Sequence, residues 1–239
     1  MDESTYKQIR LKMGPDAGGL GWDSRFAITR ADGAEFDRGQ YLLHQGFYQE
    51  ALGVVDSLAD RFPEHPYIQN LLGAIFAQSD KTVAALGRFE RALELSPPDC
   101  RDLRAQVLSN IGAARAKLGQ LETAEKTLFE ALEYDPREGG VFANLGLIRH
   151  RQQRYDEAIH FYDTAFHFAL ESPPLPNYAI GSLIGIMNCL QKLGNEGEAL
   201  RILEIVKKLP PTHAYLFRET LNPTNRQTTF YNREQDRGK

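Results

Sequence analysis

Between residues 69 and 98 the chain reads QNLLGAIFAQSDKTVAALGRFERALELSPP, and its apolar positions recur with a helical period twice over. Leu71, Leu72, Ile75 and Phe76 share one helix face before Ser79-Asp80 break the pattern. Val83, Leu86, Phe89, Ala92, Leu93 and Leu95 form a second stripe, which Pro97-Pro98 end. Gly73 and Ala74 in the first helix, and Ala85 and Ala92 in the second, are small where two helix backbones must approach closely. One such hairpin cannot bury its own apolar faces, so the pattern predicts neighbours of the same kind.

Those neighbours are in the chain. Gly73, Ala85, Ala92 and Pro97 recur upstream as Gly39, Ala51, Leu58 and Pro63, and downstream as Gly112, Ala124, Ala131 and Pro136. Gly146, Ala158 and Ala165 follow, with Leu170 in place of the proline, and Met187, Ala199, Val206 and Pro211 make a fifth, weaker set. Ala51 to Ala85 and Ala124 to Ala158 are both steps of 34 residues, while Ala85 to Ala124 is 39 and Ala158 to Ala199 is 41. Both excesses fall in turns, around PPDCRD and ESPPLP. The stripes predict helices over about 30–45 and 47–61, then the two of the opening stretch, then 98–118, 121–134, 138 onward, 155–170, 177–193 and 196–208.

This pattern resembles the tetratricopeptide repeat family, a helix–turn–helix unit with a period of about 34 residues. The family favours a small residue where the glycines stand, alanine where Ala51, Ala85, Ala124, Ala158 and Ala199 stand, and an aromatic where Phe89 and Tyr162 stand. The match covers residues 32 to 213, and it departs from the family in Met187 and in Arg115 and Arg149, where an aromatic is usual. The resemblance implies an all-α fold, a right-handed superhelical solenoid of antiparallel helix pairs. Its repeats would span about 32–65, 66–99, 105–138, 139–172 and 180–213, with a capping helix over 212–221 closing a 31–221 solenoid. Residues 1–30 are then a flexible or capping leader, and the polar tail 222–239 is expected to be disordered.

Composition excludes more than it selects. A formal net charge of −4 gives no general attraction to nucleic acid, and no apolar run is long enough to insert in a membrane. The first twenty residues lack an apolar signal core, which leads to the expectation of a cytoplasmic protein. Cys100 and Cys189 stand alone, with no CxxC, and read as reduced, inert thiols. In the leader, GPDAGGLG lacks the Lys-Ser/Thr of a phosphate-binding loop. Trp22 is an anchor candidate there: it and Phe26 are expected to fold back on the first helix as a cap or to dock on another chain.

No constellation carries chemistry. Glu157 and His160 have the helical spacing of a di-metal pair, but the second pair that such a site needs is missing. His160 and His167 read as two solvated histidines. Neither a nucleophile elbow nor a glycine-rich dinucleotide loop after a strand occurs, so the reading is a non-enzyme with no catalytic residue, no metal and no cofactor.

The resemblance implies a concave groove lined by the first helix of each pair. Asn70, Gln106, Asn110, Lys117, Asn144, His150, Arg151, Asn188 and Lys192 would face it, an amide-rich floor with a basic lip of Lys117, Arg151 and Lys192. Amides suit an extended peptide backbone, and the cations favour an acidic partner segment. Asn110 and Asn144, at equivalent positions, would stack as a ladder. Arg115 and Arg149 would snorkel their heads toward the groove. The cations of a chaperone carboxylate clamp are missing: Phe36, Gln40, Leu71, Gln106 and Asn110 occupy one frame of that clamp and Asn70, Ala74, Asn110, Gly140 and Asn144 the other. The expected role is a protein–protein adaptor or scaffold holding a peptide or helix of a protein partner. The alternative is a structural subunit of a larger assembly, self-associating or using its ends, convex face and tails. Phe161, Phe166 and Phe168 would favour that alternative if exposed together.

Overall fold

The computed structural model describes residues 24–171 and 176–207. Trp22, the segment 212–221 and the tail 222–239 lie outside the described residues. Among the described residues the structure is all-helical. A 3-10 turn, Ser24–Phe26, precedes ten α-helices: α1 Arg30–His44, α2 Tyr48–Arg61, α3 Pro66–Gln78, α4 Thr82–Leu95, α5 Arg101–Lys117, α6 Leu121–Tyr134, α7 Gly139–Arg151, α8 Tyr155–Leu170, α9 Asn177–Lys192 and α10 Glu196–Lys207. The chain divides into two compact units, the first ending at Glu138 and the second beginning at Gly139.

Each odd-numbered helix turns back into an antiparallel partner through one residue in the left-handed conformation. Those residues are Gly46, Asp80, Gly119, Gln153 and Gly194, with φ between 59° and 80°. The next amide N–H in each turn reaches five residues back into the helix, from Phe47 to Leu42 O, Lys81 to Phe76 O, Gln120 to Arg115 O, Arg154 to Arg149 O and Asn195 to Leu190 O. These bonds satisfy carbonyls that the helix end leaves open.

Within the pairs, a bulky side chain of the second helix lies against the glycine of the first. A Cβ on Gly39 would lie 2.3 Å from Val55, one on Gly73 2.5 Å from Phe89, one on Gly112 2.5 Å from Leu128, and one on Gly146 2.7 Å from Tyr162. Close backbone approach is therefore the reason for these four glycines. In the second unit Tyr162 is also wedged against Gly185 of α9, where a Cβ would lie 2.5 Å from the ring. In the first unit Phe36, Val55, Leu58, Ile68, Leu72 and Ile75 bury together, and Phe89, Leu103, Val107 and Ile111 continue that core.

The helix ends are tied by charge. Thr29 Oγ1 caps α1 by accepting from Asp32 N, and Arg61 at the end of α2 pairs with Asp32 and Glu35. The 3-10 turn folds onto the start of α3: the Phe26 ring lies 5.8 Å from His65 and 6.1 Å from Tyr67. Phe26 thus packs at the N-terminal end of α3.

Candidate partner-binding faces

In the first unit α3 and α5 lie side by side and align three amides. Asn110 Nδ2 donates to Asn70 Oδ1 at 2.9 Å, and Asn70 Nδ2 reaches Gln106 Oε1 at 3.4 Å. Asn70 and Asn110 are half-buried and Gln106 is exposed, so the row borders solvent. The partner of Asn110 within its unit is Asn70 of the preceding pair, at an inequivalent repeat position. Matching repeat positions share a helix face, but a short amide bonds whichever neighbour the helix rotation brings within 3 Å.

Lys117 closes the far end of α5. Its Nζ donates to Asp80 Oδ1 at 2.9 Å and to Ala77 O at 3.1 Å, with the side chain 23% exposed. This cation braces the turn after α3, which holds Asp80 in its left-handed conformation, and it is already engaged within the chain. Of the three cations expected on the basic lip, Lys117 thus has partners within its own unit.

The second unit gathers His150 and Arg151 at the end of α7 with Lys192 at the end of α9. Burial, and next the charges of Lys192 and Arg151, hold the His150 imidazole below its ordinary value of 6.5. His150 also meets Tyr155 edge-on, with ring centroids 5.4 Å apart. Cations at helix C-termini are favoured by the helix dipole, and a neutral imidazole spares the cluster a third positive charge. Lys192 is exposed and Arg151 half-buried; Asn144 and Asn188, on α7 and α9, are half-buried too.

Arg115 and Arg149 do not aim their heads at these faces. Arg115 Nη1 donates to Thr127 Oγ1 at 2.6 Å and Nη2 to Glu90 Oε1 at 3.2 Å, between α4 and α6. Arg149 is 8% exposed, donates to Gln152 Oε1 at 3.1 Å, pairs with Glu157 and lies over the Phe161 ring. A guanidinium that finds a carboxylate among packed helices has no reason to snorkel. Phe161, Phe166 and Phe168 are half-buried, with Phe168 5.3 Å from Phe142, so they do not form the exposed trio that an assembly surface would need.

Among the described residues no group of three or more His, Cys, Asp or Glu could hold a metal ion, and no helix is long and apolar enough to cross a membrane. Burial raises the Cys189 thiol to about 12, which leaves it protonated at neutral pH.

Repeated helical hairpins whose chemistry lies in side chains along their first helices define a helical-repeat protein. The tetratricopeptide repeat family model matches residues 36–99 and 110–168, just over half of the chain, and the chain belongs to that family. Tetratricopeptide repeat protein 8 of Caenorhabditis elegans is 36% identical over 63 residues, which is 26% of this chain and 12% of that protein. Among solved structures, MamA 41-end from Desulfovibrio magneticus RS-1 is 18% identical, with a TM-score of 0.49, covering 77% of this chain and 97% of that one. MamA AMB-1 is 20% identical, with a TM-score of 0.47 and coverage of 73% and 96%. Tetratricopeptide repeats are protein-interaction modules, and a protein-interaction, scaffold role is the class to which this chain belongs.

Proposed function

We propose that the chain is a non-enzymatic adaptor that holds an extended segment of a protein partner on its first-helix faces. The row Asn110–Asn70–Gln106, with Asn70 at its centre, carries this reading. An amide row keeps donors and acceptors for a peptide backbone whatever the side chains of that peptide. The second unit presents half-buried Asn144 and Asn188 of its own, and Arg151 with Lys192 there supports an acidic residue in a segment bound to that unit. Such a segment would bind more weakly as salt rises.

Selection of a random peptide library on the full chain tests this. The expected result is enrichment of peptides carrying Asp or Glu. Arg151→Glu with Lys192→Glu should lose them, and Asn70→Ala with Asn110→Ala should weaken them about tenfold or more. Equal binding to all three proteins would remove the reading.

A second reading, a subunit of a larger assembly, draws on the last helix pair. Leu193 and Leu200 are 45% and 61% exposed there, beside a recess of about 280 Å³ that includes Met187 and Leu203. Self-association through this recess would make the sedimentation of the full chain concentration-dependent, and Leu200→Asp would abolish that dependence.

A further inference from the structure

In the second unit, α8 carries a polar row opposite its buried face. Ala158, Tyr162, Ala165 and Ala169 are the buried residues of this helix. Asp156, His160, Asp163 and His167 each stand two positions before one of them, about 200° around the helix, and all four are exposed. The row alternates carboxylate and imidazole in two pairs, each four residues apart. Asp163 and His167 already lie together, with Oδ2 3.6 Å from Nε2. Asp156 and His160 repeat that spacing two turns earlier, and among the described residues no side-chain hydrogen bond or ion pair engages either. From Tyr155 to Leu170 there is no Lys or Arg, and the flanking Arg154 is committed to Glu157 at 2.6 Å.

A carboxylate and an imidazole four residues apart on a helix are neighbours, and together they can ligate one metal ion. Two ligands leave a four-coordinate ion incomplete, and among the described residues no group of three or more His, Cys, Asp or Glu could hold one. The order of the row says where the other two ligands come from. Read backwards, Asp–His–Asp–His becomes His–Asp–His–Asp. A second copy of α8 laid antiparallel therefore sets its Asp163 against His160 and its His167 against Asp156. Both pairs meet their complements at once, as a two-fold interface requires. The two half-sites, roughly 10 Å apart along the helix, become two whole ones. Two imidazoles and two carboxylates around one ion suit zinc, and the carboxylates balance its double charge. Leu170, three residues past His167 and 55% exposed, extends the row with apolar surface for such a contact to cover.

We propose that α8 carries two halves of a zinc site and that a second copy of the chain completes them. Each ion is held by Asp156 and His160 of one copy and by Asp163 and His167 of the other, two ions to the dimer. One copy alone supplies only two ligands per ion, so zinc binding and pairing occur together. The row lies on a second helix, so the assignment does not rest on a peptide binding to the first-helix faces.

Sedimentation of the full chain with and without zinc chloride, with the metal content measured on the separated dimer, tests the assignment. The expected result is a zinc-dependent dimer with one zinc per chain, reversed by a chelator. His160→Gln and His167→Gln should each stay monomeric at the zinc concentration that dimerises the unaltered chain. Both change an exposed side chain, so their circular dichroism should match that of the unaltered chain. Mixing the two variants should restore a dimer with a single zinc, because one of its two sites then has all four ligands and the other has neither histidine. The assignment is overturned if zinc leaves the chain monomeric, if either variant dimerises as the unaltered chain does, or if the mixture behaves as its components do. Loss of the zinc-dependent dimer in Leu200→Asp overturns it as well, since the contact would then lie on α10.

Discussion

Asn110 on α5 donates its side-chain amide to the side-chain oxygen of Asn70 on α3 at 2.9 Å, across 40 residues of sequence. The bond joins the first helices of successive pairs at the rim of a solvent-facing row, so it orients two amides toward anything that lies along that row. Both residues are half-buried, and such a bond contributes about 0.5–1.5 kcal/mol net. A double-mutant cycle of Asn70→Ala and Asn110→Ala in denaturant unfolding should return a coupling energy in that range. Strict additivity would mean that the two amides act independently.

The glycines separate into two kinds that one measurement distinguishes. Gly73→Ala sets a Cβ 2.5 Å from the Phe89 ring, which is buried and cannot withdraw, whereas Gly87→Ala on the neighbouring helix meets nothing within 4 Å. Overpacking should lower the stability of Gly73→Ala by about 1–3 kcal/mol. Gly87→Ala should raise it by roughly 0.5–1 kcal/mol, since alanine loses less entropy in a helix. Thermal melts moving in opposite directions are the expected outcome; a shared direction would contradict the helix-pair geometry.

Acid should loosen the first unit. Burial holds the His65 imidazole below its ordinary value of 6.5 in the folded chain, against a smaller opposing effect of its bond to Phe26 O. The unfolded chain therefore takes up the proton first as pH falls. The stabilising contribution is complete above about 6.5 and is lost as pH drops from there through the lowered folded value. Burial lowers His44 and His150 in the same direction. The melting temperature should fall on acidification over that window, and less steeply for His65→Gln; an identical slope would leave His65 without a share in the effect.

Much of this architecture was legible because its determinants are periodic. Gly46, Asp80, Gly119, Gln153 and Gly194 are separated by the same steps as the alanine series, so the frame that finds one turn finds all five. Only three are glycines, and composition alone would have missed Asp80 and Gln153. The residues added before Ala124 enter partly as the long α5 and partly as the turn at its start, as a proline pair followed by a helical stripe suggests. Periodicity assigns a face and stops there. It put Arg115 on the first helix of its pair but missed where its head goes, because a long side chain selects its acceptor by reach, and the acceptors Glu90 and Thr127 stand on two different helices. The Asn70–Asn110 bond was hidden for a related reason, since it joins inequivalent positions of two pairs.

Arg25 on Asp99 joins positions 74 residues apart, and beside it Phe26 seats on His65. In a stacked array, unfolding ordinarily starts at the outermost pair, whose contacts lie on one side only. Here the two helix pairs from α1 to α4 are enclosed in a loop that this clasp closes. Tension applied at Arg25 enters the fold at Asp99, just before α5, so α1 to α4 are bypassed until the Arg25–Asp99 pair releases. The clasp makes the first two pairs mechanically silent, and a single-molecule trace should show their length released only after one early, salt-sensitive rupture.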